Sequence, residues 1–166
     1  MSQAYIALGS NLEEPLQQLH SALRALNALP ETALVKASSI YQSAAVGPGD
    51  QPDYLNAAVL LDTRLGPQPL LVALLAIEDE QGRQRTVRWG PRTLDLDLLL
   101  YDHVTMNTHC LTLPHPRLRE RDFVLYPLHE ISDTNQMLPG DAELDTLISR
   151  CQDNGLIKTE WQLGTG

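Results

Sequence analysis

Between positions 83 and 97 the chain places four arginines, Arg83, Arg85, Arg88 and Arg92, ahead of two aspartates, Asp95 and Asp97, that alternate with leucine in LDLDLLL. On a helix these carboxylates would point about 200° apart and could not share a ligand. On a strand the period of two sets them on one face, with Cα atoms about 6.5–7 Å apart, and sends Leu94, Leu96, Leu98 and Leu100 to the other. Two like charges that close repel, so a cation is wanted between them. Hard oxygen donors on rigid backbone suit Mg²⁺, which takes one or two carboxylates and completes its shell with waters and phosphate oxygens; the spacing also suits two ions. Arginine's planar fork stays charged and grips phosphate oxygens in pairs, so the segment describes a polyphosphate clamp. There is no GxxxxGK[ST] and no Gly-rich kinase loop, so a nucleotide would be held by arginine and metal instead of a P-loop. The plain alternatives are a solvated charged face and an ordinary surface strand that alternates acid with leucine.

Other polar residues could complete such a site. His115, between Pro114 and Pro116, sits on a stiff turn near Arg117 and Arg121, where it either contacts a ligand or makes a structural hydrogen bond. Trp89 lies in a polar loop with little local core to join, which leaves stacking on a planar ligand or plain burial. Tyr54 and Asn56 share one face of a predicted strand, and an amide beside an aromatic ring suits a flat heterocycle with mixed donors and acceptors. Phe123 could supply a second stacking face, with core packing as the default. Glu78 interrupts an apolar helix face beside Leu71 and Leu74; it is either a buried acid paired with arginine or a group reaching the site. His20, His103, His109 and His129 show no ligand spacing and read as incidental.

The elements that must position these groups are legible as periodicities. Residues 4–10 (AYIALGS) read as a buried strand closed by Gly9 and Ser10. Pro15, with Glu13 and Glu14 beside the positive helix end, opens a helix whose Leu16, Leu19, Leu23 and Leu26 face a core and which Pro30 stops. Strands are expected over 33–42 and 54–63, separated by a segment whose glycines and prolines make it a long loop. A second helix runs from Pro69 to Gln81 with Leu70, Leu71, Leu74, Leu75 and Ile77 on its apolar face, and Gly82 ends it. A second long loop, 82–93, precedes the strand at 94–101. Residues 111–131 combine a short strand, a turn and helical turns; a last helix spans 141–151 and a tail strand lies around Lys158 to Leu163. The order strand, helix, strand, strand, helix, strand predicts an α+β ferredoxin-like βαββαβ sandwich, an antiparallel sheet with helices on its faces and long active-site loops.

At 166 residues and 43% apolar content, one domain spanning 1–166 is expected. No signal peptide and no ~20-residue apolar run is present, which points to the cytoplasm, away from any membrane. A net charge of −9 and a pI near 4.8 argue against a nucleic-acid binder. Yet seven of the twelve basic residues, all arginine, fall between positions 83 and 121, which marks a local anion site on an acidic protein. Cys110 and Cys151 show no ligand spacing and read as buried or idle thiols.

RWGPRTLDLDLLL (88–100) resembles the signature of the 6-hydroxymethyl-7,8-dihydropterin pyrophosphokinase family. YIALGSN (5–11), DQPDYLNAAV (50–59), IEDEQGRQR (77–85) and LTLPHPRLRERDFVLYPLHEI (111–131) follow that family's order and spacing. The resemblance implies the ferredoxin-like fold and transfer of the terminal pyrophosphate of ATP to the pterin hydroxymethyl group, leaving AMP. Carried over by position, Asp95 and Asp97 would bind two Mg²⁺ ions, and with Arg83 and Arg92 would form the catalytic set. Arg83, Arg85, Trp89, Arg92, Leu98, Thr112, His115 and Arg121 would contact ATP. Ser43, Val46, Gly47, Tyr54 and Asn56 would line the pterin pocket, where Trp89 and Phe123 sandwich the ring. ATP and the pterin are thus the expected partners, and a monomer is expected. The chain departs from the family at Ser43 and Ala44, where threonine and proline are frequent, and at Cys110, where some members carry arginine. Two other classes bear weighing. A Mg²⁺-dependent phosphodiesterase or nuclease would need a basic groove that the acidic composition does not provide. A non-catalytic nucleotide-binding module would have lost a carboxylate or the pterin pair, and both are present.

Overall fold

The computed structural model describes residues 1–10, 15–43, 54–81, 94–116, 118, 121–132, 137–138, 142–150 and 156–162. Both long loops predicted above, with Val46, Gly47, Arg83, Arg85, Arg88, Trp89 and Arg92, lie outside these residues, as do Glu13, Glu14, Gly82 and Cys151.

The chain begins with β1 (Ser2–Ser10), α1 (Pro15–Asn27), β2 (Thr32–Ala37), β3 (Ser39–Ser43), β4 (Tyr54–Thr63), α2 (Pro67–Gln81) and β5 (Asp95–Tyr101). The hairpin β6 (Met106–Asn107) and β7 (Thr112–Leu113) follows, then α3 (Asp122–Ile131), the hairpin β8 (Met137–Leu138) and β9 (Ala142–Glu143), α4 (Leu144–Arg150) and β10 (Ile157–Gln162). The main sheet runs β10-β3-β4-β1-β5, with β2 also paired to β4, and all its pairings are antiparallel. This is the predicted ferredoxin-like order, with β5 at one edge and a tail strand added at the other.

The single strand expected over 33–42 is two strands on the same partner. Ser38 divides them: its backbone N–H donates to the Ala58 carbonyl and its hydroxyl accepts the Ala58 N–H, both at 2.9 Å. A side chain there replaces a ladder bond, and the chain bends without leaving β4 a buried orphan.

Each sheet face carries its own core. On one, α1 buries Leu19, Ala22, Leu23 and Leu26 and α2 buries Leu70, Leu74 and Ile77 against Ile6, Leu8, Val59, Leu61, Leu96 and Leu98. On the other, Val124, Leu125, Leu128 and Ile131 of α3 and Leu144 of α4 cover Tyr5, Ala7, Ala58 and Leu60. The alternation expected of LDLDLLL holds only as far as Leu98. The register shifts between Tyr5 and Ile6, so that Tyr5 faces Leu100 while Ile6 faces Leu98. This extra residue, a β-bulge at Leu99, turns Leu100 to the α3 face and Tyr101 to the α1/α2 face, which corrects the placement of Leu100. The Leu99 carbonyl accepts the His115 N–H at 3.0 Å, just after the cis Leu113–Pro114 bond. No helix among the described residues is long and apolar enough to cross a membrane.

Leu125 is fully buried where α3 meets the sheet. Leu125→Ala is expected to cost about 2–5 kcal/mol through lost burial and a residual cavity, measurable as a lower urea midpoint at unchanged slope.

Candidate active site

Strand register assembles the site. Gly9 of β1 pairs with Asp95 on one side and Asn56 on the other, and Asn56 pairs in turn with Tyr41. One row across four strands therefore reads Asp95, Gly9, Asn56, Tyr41, with all side chains toward α3. A parallel row two residues deeper holds Asp97, Ala7 and Ala58. The middle of both rows is glycine or alanine, which leaves room above the sheet. A Cβ on Gly9 would stand 3.4 Å from Asn56 Oδ1, at the limit of ordinary contact.

That room is a cavity of about 370 Å³, lined among others by Ser43, Tyr54, Asn56, Asp95, Asp97, Arg121 and Phe123. Asn56 is buried, and its Nδ2 donates to Ser43 Oγ at 2.8 Å. The Tyr54 phenol is pushed above the usual tyrosine range, first by burial and then by the negative charge of Asp95, so it stays a neutral hydroxyl at physiological pH. Arg121, the N-cap of α3, lays its guanidinium over the Phe123 ring at 5.4 Å from the centroid, a cation–π contact that groups both on one wall.

A second cavity, of about 300 Å³, lies beyond β5 and shares Asp95 and Asp97 with the first. Leu98, Thr112 and His115 line it, with Leu71, Leu75 and Glu78 of α2 and residues 108–111. His115 Nε2 stands 3.8 Å from Asp97 Oδ1. Glu78 Oε2 accepts the Leu96 N–H at 2.7 Å. Leu96 separates the two aspartates on an edge strand, so this bond satisfies an outward amide and holds the segment that presents both carboxylates. Glu78 is half-buried and lines the second cavity.

Of the sequence-predicted residues inside the described segments, the structure gathers Ser43, Tyr54, Asn56, Phe123 and Arg121 in the first cavity. Leu98, Thr112 and His115 gather in the second, and both aspartates lie between. Arg121, read from the resemblance as an ATP contact, thus stands with the residues read as pterin contacts. Several lining residues escaped the sequence reading. Ala7 and Gly9 carry no signal except small size on one strand face. Leu71 and Leu75, assigned to the helix core, line the second cavity, and Leu75 is 51% exposed. Cys110, read as buried or idle, is exposed and lines the same cavity as His109, read as incidental. His129, also read as incidental, meets Asp145 at 2.7 Å between α3 and α4.

Residues 5–133 match the model of the 7,8-dihydro-6-hydroxymethylpterin-pyrophosphokinase (HPPK) family. A 2-amino-4-hydroxy-6-hydroxymethyldihydropteridine pyrophosphokinase of Haemophilus influenzae is 48% identical over 158 residues, covering 95% of this chain and 98% of the relative. One of Pseudomonas aeruginosa is 47% identical over 156 residues, covering 94% and 96%. Among solved structures, an HPPK-DHPS in complex with substrates superposes with a TM-score of 0.69 at 12% identity over 90% of this chain, a likeness of fold. A Plasmodium falciparum HPPK-DHPS gives 0.67 at 12% identity, also over 90%. This chain spans 45% and 43% of the length of those two.

Two outcomes follow from the geometry. In Asp95→Asn the Tyr54 phenol should titrate lower than in the parent yet stay above ordinary tyrosine, because the charge is removed while burial, the larger cause, remains. Its raised value means the folded chain holds the proton longer than the unfolded one. Tyr54 therefore lowers stability only as pH climbs past about 10; NMR of ring-labelled tyrosine reads the titration. In Glu78→Ala the Leu96 amide should exchange with deuterium at least about tenfold faster, since a charge-assisted bond worth roughly 1.5 kcal/mol or more is gone; unchanged exchange would remove Glu78 from this role.

Proposed function

Because the chain belongs to the 7,8-dihydro-6-hydroxymethylpterin-pyrophosphokinase family, we propose that it transfers pyrophosphate from ATP to the hydroxymethyl group of 6-hydroxymethyl-7,8-dihydropterin. AMP and the pterin diphosphate are the products, in folate biosynthesis. The observation that carries this reading is the pair Asp95 and Asp97, which stands in a wall common to two cavities. A transfer between two small molecules needs donor and acceptor on either side of the group that handles the phosphates.

The first cavity suits the pterin. Asn56 and Ser43 offer amide and hydroxyl groups to a flat ring with mixed donors and acceptors, the neutral Tyr54 hydroxyl offers a proton, and Phe123 offers a stacking face. In this reading Trp89 closes the other face of the ring and Val46 and Gly47 line its edge. The second cavity suits ATP, with Leu98 and Thr112 toward the adenosine and His115 toward the phosphates. Arg121, at the first cavity, reaches toward the phosphates from the pterin side.

Two Mg²⁺ ions belong to the proposal, and the donor set fits them. Asp95 and Asp97 present hard oxygens on one strand face, and the Asp97 side chain is 46% exposed. Bound there, Mg²⁺ would neutralise phosphate charge and align it with the acceptor. The reaction is in-line: the hydroxymethyl oxygen bonds to the β-phosphorus as the bond from that phosphorus to the α–β bridging oxygen breaks, AMP leaves with the bridging oxygen, and the hydroxymethyl proton is released to water. Arg83 and Arg92 add fixed positive charge where negative charge spreads in the transition state, while the two cavities set the approach of the reactants.

Incubation with ATP, Mg²⁺ and the pterin tests the reaction: AMP should appear, and ADP would mark ordinary phosphoryl transfer. Asp97→Ala should cut turnover at least about a hundredfold, or ~3 kcal/mol of transition-state stabilisation; near-normal Mg²⁺-dependent AMP release would remove Asp97 from this role.

A further inference from the structure

Seven residues beyond Phe123 on α3, Glu130 makes a set of contacts that the site does not use. Its Oε2 accepts both the backbone N–H and the hydroxyl of Ser39 at 2.9 Å, and its Oε1 accepts the Tyr41 phenol at 2.7 Å. Lys158 Nζ of β10 stands 3.9 Å from the same Oε1. Ser39 and Tyr41 are buried, and Glu130 lines neither cavity. One carboxylate therefore pins the C-terminal end of α3 to β3.

The location gives this clamp a consequence at the site. Tyr41 is the register partner of Asn56 and lies two residues before Ser43 on the same strand face. Residues i and i+7 share a helix stripe, so Phe123 and Glu130 face the same side of α3, about 10.5 Å apart along its axis. One wall of the first cavity is thus Phe123 on α3 and the opposite wall is Asn56 and Ser43 on β4 and β3. The gap between them is a distance between helix and strands. Pro127 has no N–H for the Phe123 carbonyl, so the first turn of α3 depends more on how the helix is seated than on its own ladder. Ser38 and Ser39 stand where the chain bends from β2 into β3, so the strand being gripped starts at a bend.

We propose that Glu130 is a positioning residue for the ring pocket: by clamping α3 to Ser39 and Tyr41 it sets the spacing between Phe123 and the Asn56–Ser43 pair, and thereby the affinity for the acceptor. The proposal rests on the assignment of the first cavity to the pterin. A carboxylate suits the task because it takes three donors from two residues at once, and charge-assisted bonds are the stronger ones.

Calorimetric titration tests it, with a nonhydrolysable ATP analogue alone and then the pterin in the presence of saturating analogue and Mg²⁺, at a temperature where each variant is shown to be folded. Glu130→Ala should weaken pterin binding about tenfold, as expected when roughly 1.4 kcal/mol of alignment is lost, while analogue affinity stays within about twofold of the parent. Tyr41→Phe, which removes one of the bonds, should give a smaller loss of pterin affinity in the same direction, and serves if Glu130→Ala does not fold. Phe123→Ala is the control on the pocket. If Phe123→Ala weakens pterin binding and neither clamp variant does, the clamp is overturned and the pocket stands. Unchanged pterin affinity in Phe123→Ala overturns the pocket assignment and the proposal with it. Parallel loss of both ligands in a folded Glu130→Ala would also overturn the proposal, by showing a general structural role.

Discussion

The ladder that pairs Gly9 with Asp95 on one side and with Asn56 on the other sets the carboxylates of β5 and the polar side chains of β4 on one sheet face. A slip of one residue in either pairing would turn one set to the opposite face, where α1 and α2 already pack. Register is held because both faces of this sheet are buried and each carries its own apolar set. The cores therefore position the polar row, although most of their side chains lie away from it.

Small residues turn that row into a site. Ala7, Gly9 and Ala58 withhold side-chain volume over the middle strands, and α3 roofs the space with Phe123 and Arg121. Acidic groups then serve two kinds of end. Asp95 and Asp97 remain partly exposed between the cavities, whereas Glu78 and Glu130 take up backbone and hydroxyl donors at opposite ends of the sheet. Glu78 steadies the edge strand that carries the aspartates, and Glu130 grips the strand beside Asn56.

The bulge at Leu99 links strand and turn. It ends the leucine alternation just after Asp97, lets β5 feed both cores, and turns its carbonyl to the His115 amide. The histidine is thereby brought to the second cavity, with Nε2 3.8 Å from Asp97.

Read alone, the chain determined the order of its core βαββαβ elements, because helix and strand periods are local: 54–63 is the strand expected, α1 runs from Pro15 as Pro15 and Pro30 require, and the tail strand lies where it was placed, whereas the hairpins β6–β7 and β8–β9 were not foreseen and the helix expected over 141–151 begins only at Leu144, after β9. It also determined that Asp95 and Asp97 share a face, since that follows from strand geometry alone, and it singled out Tyr54, Asn56 and Phe123 by type. It could not show that the strand of 33–42 breaks at Ser38, nor that Leu100 faces α3, because a side-chain substitute for a ladder bond and a register shift both depend on the partner strand. Nor could it separate Leu75, which is exposed and lines a cavity, from Leu70 and Leu74, which fill a core, or show that Leu71 does both: a broad apolar stripe looks the same whichever element covers it. Tertiary structure alone decided that the aspartates divide two cavities and that Glu78 and Glu130 grip strands. Those relations join residues far apart in sequence, 18 positions for Glu78 and Leu96 and 89 for Glu130 and Tyr41, and no local period carries them.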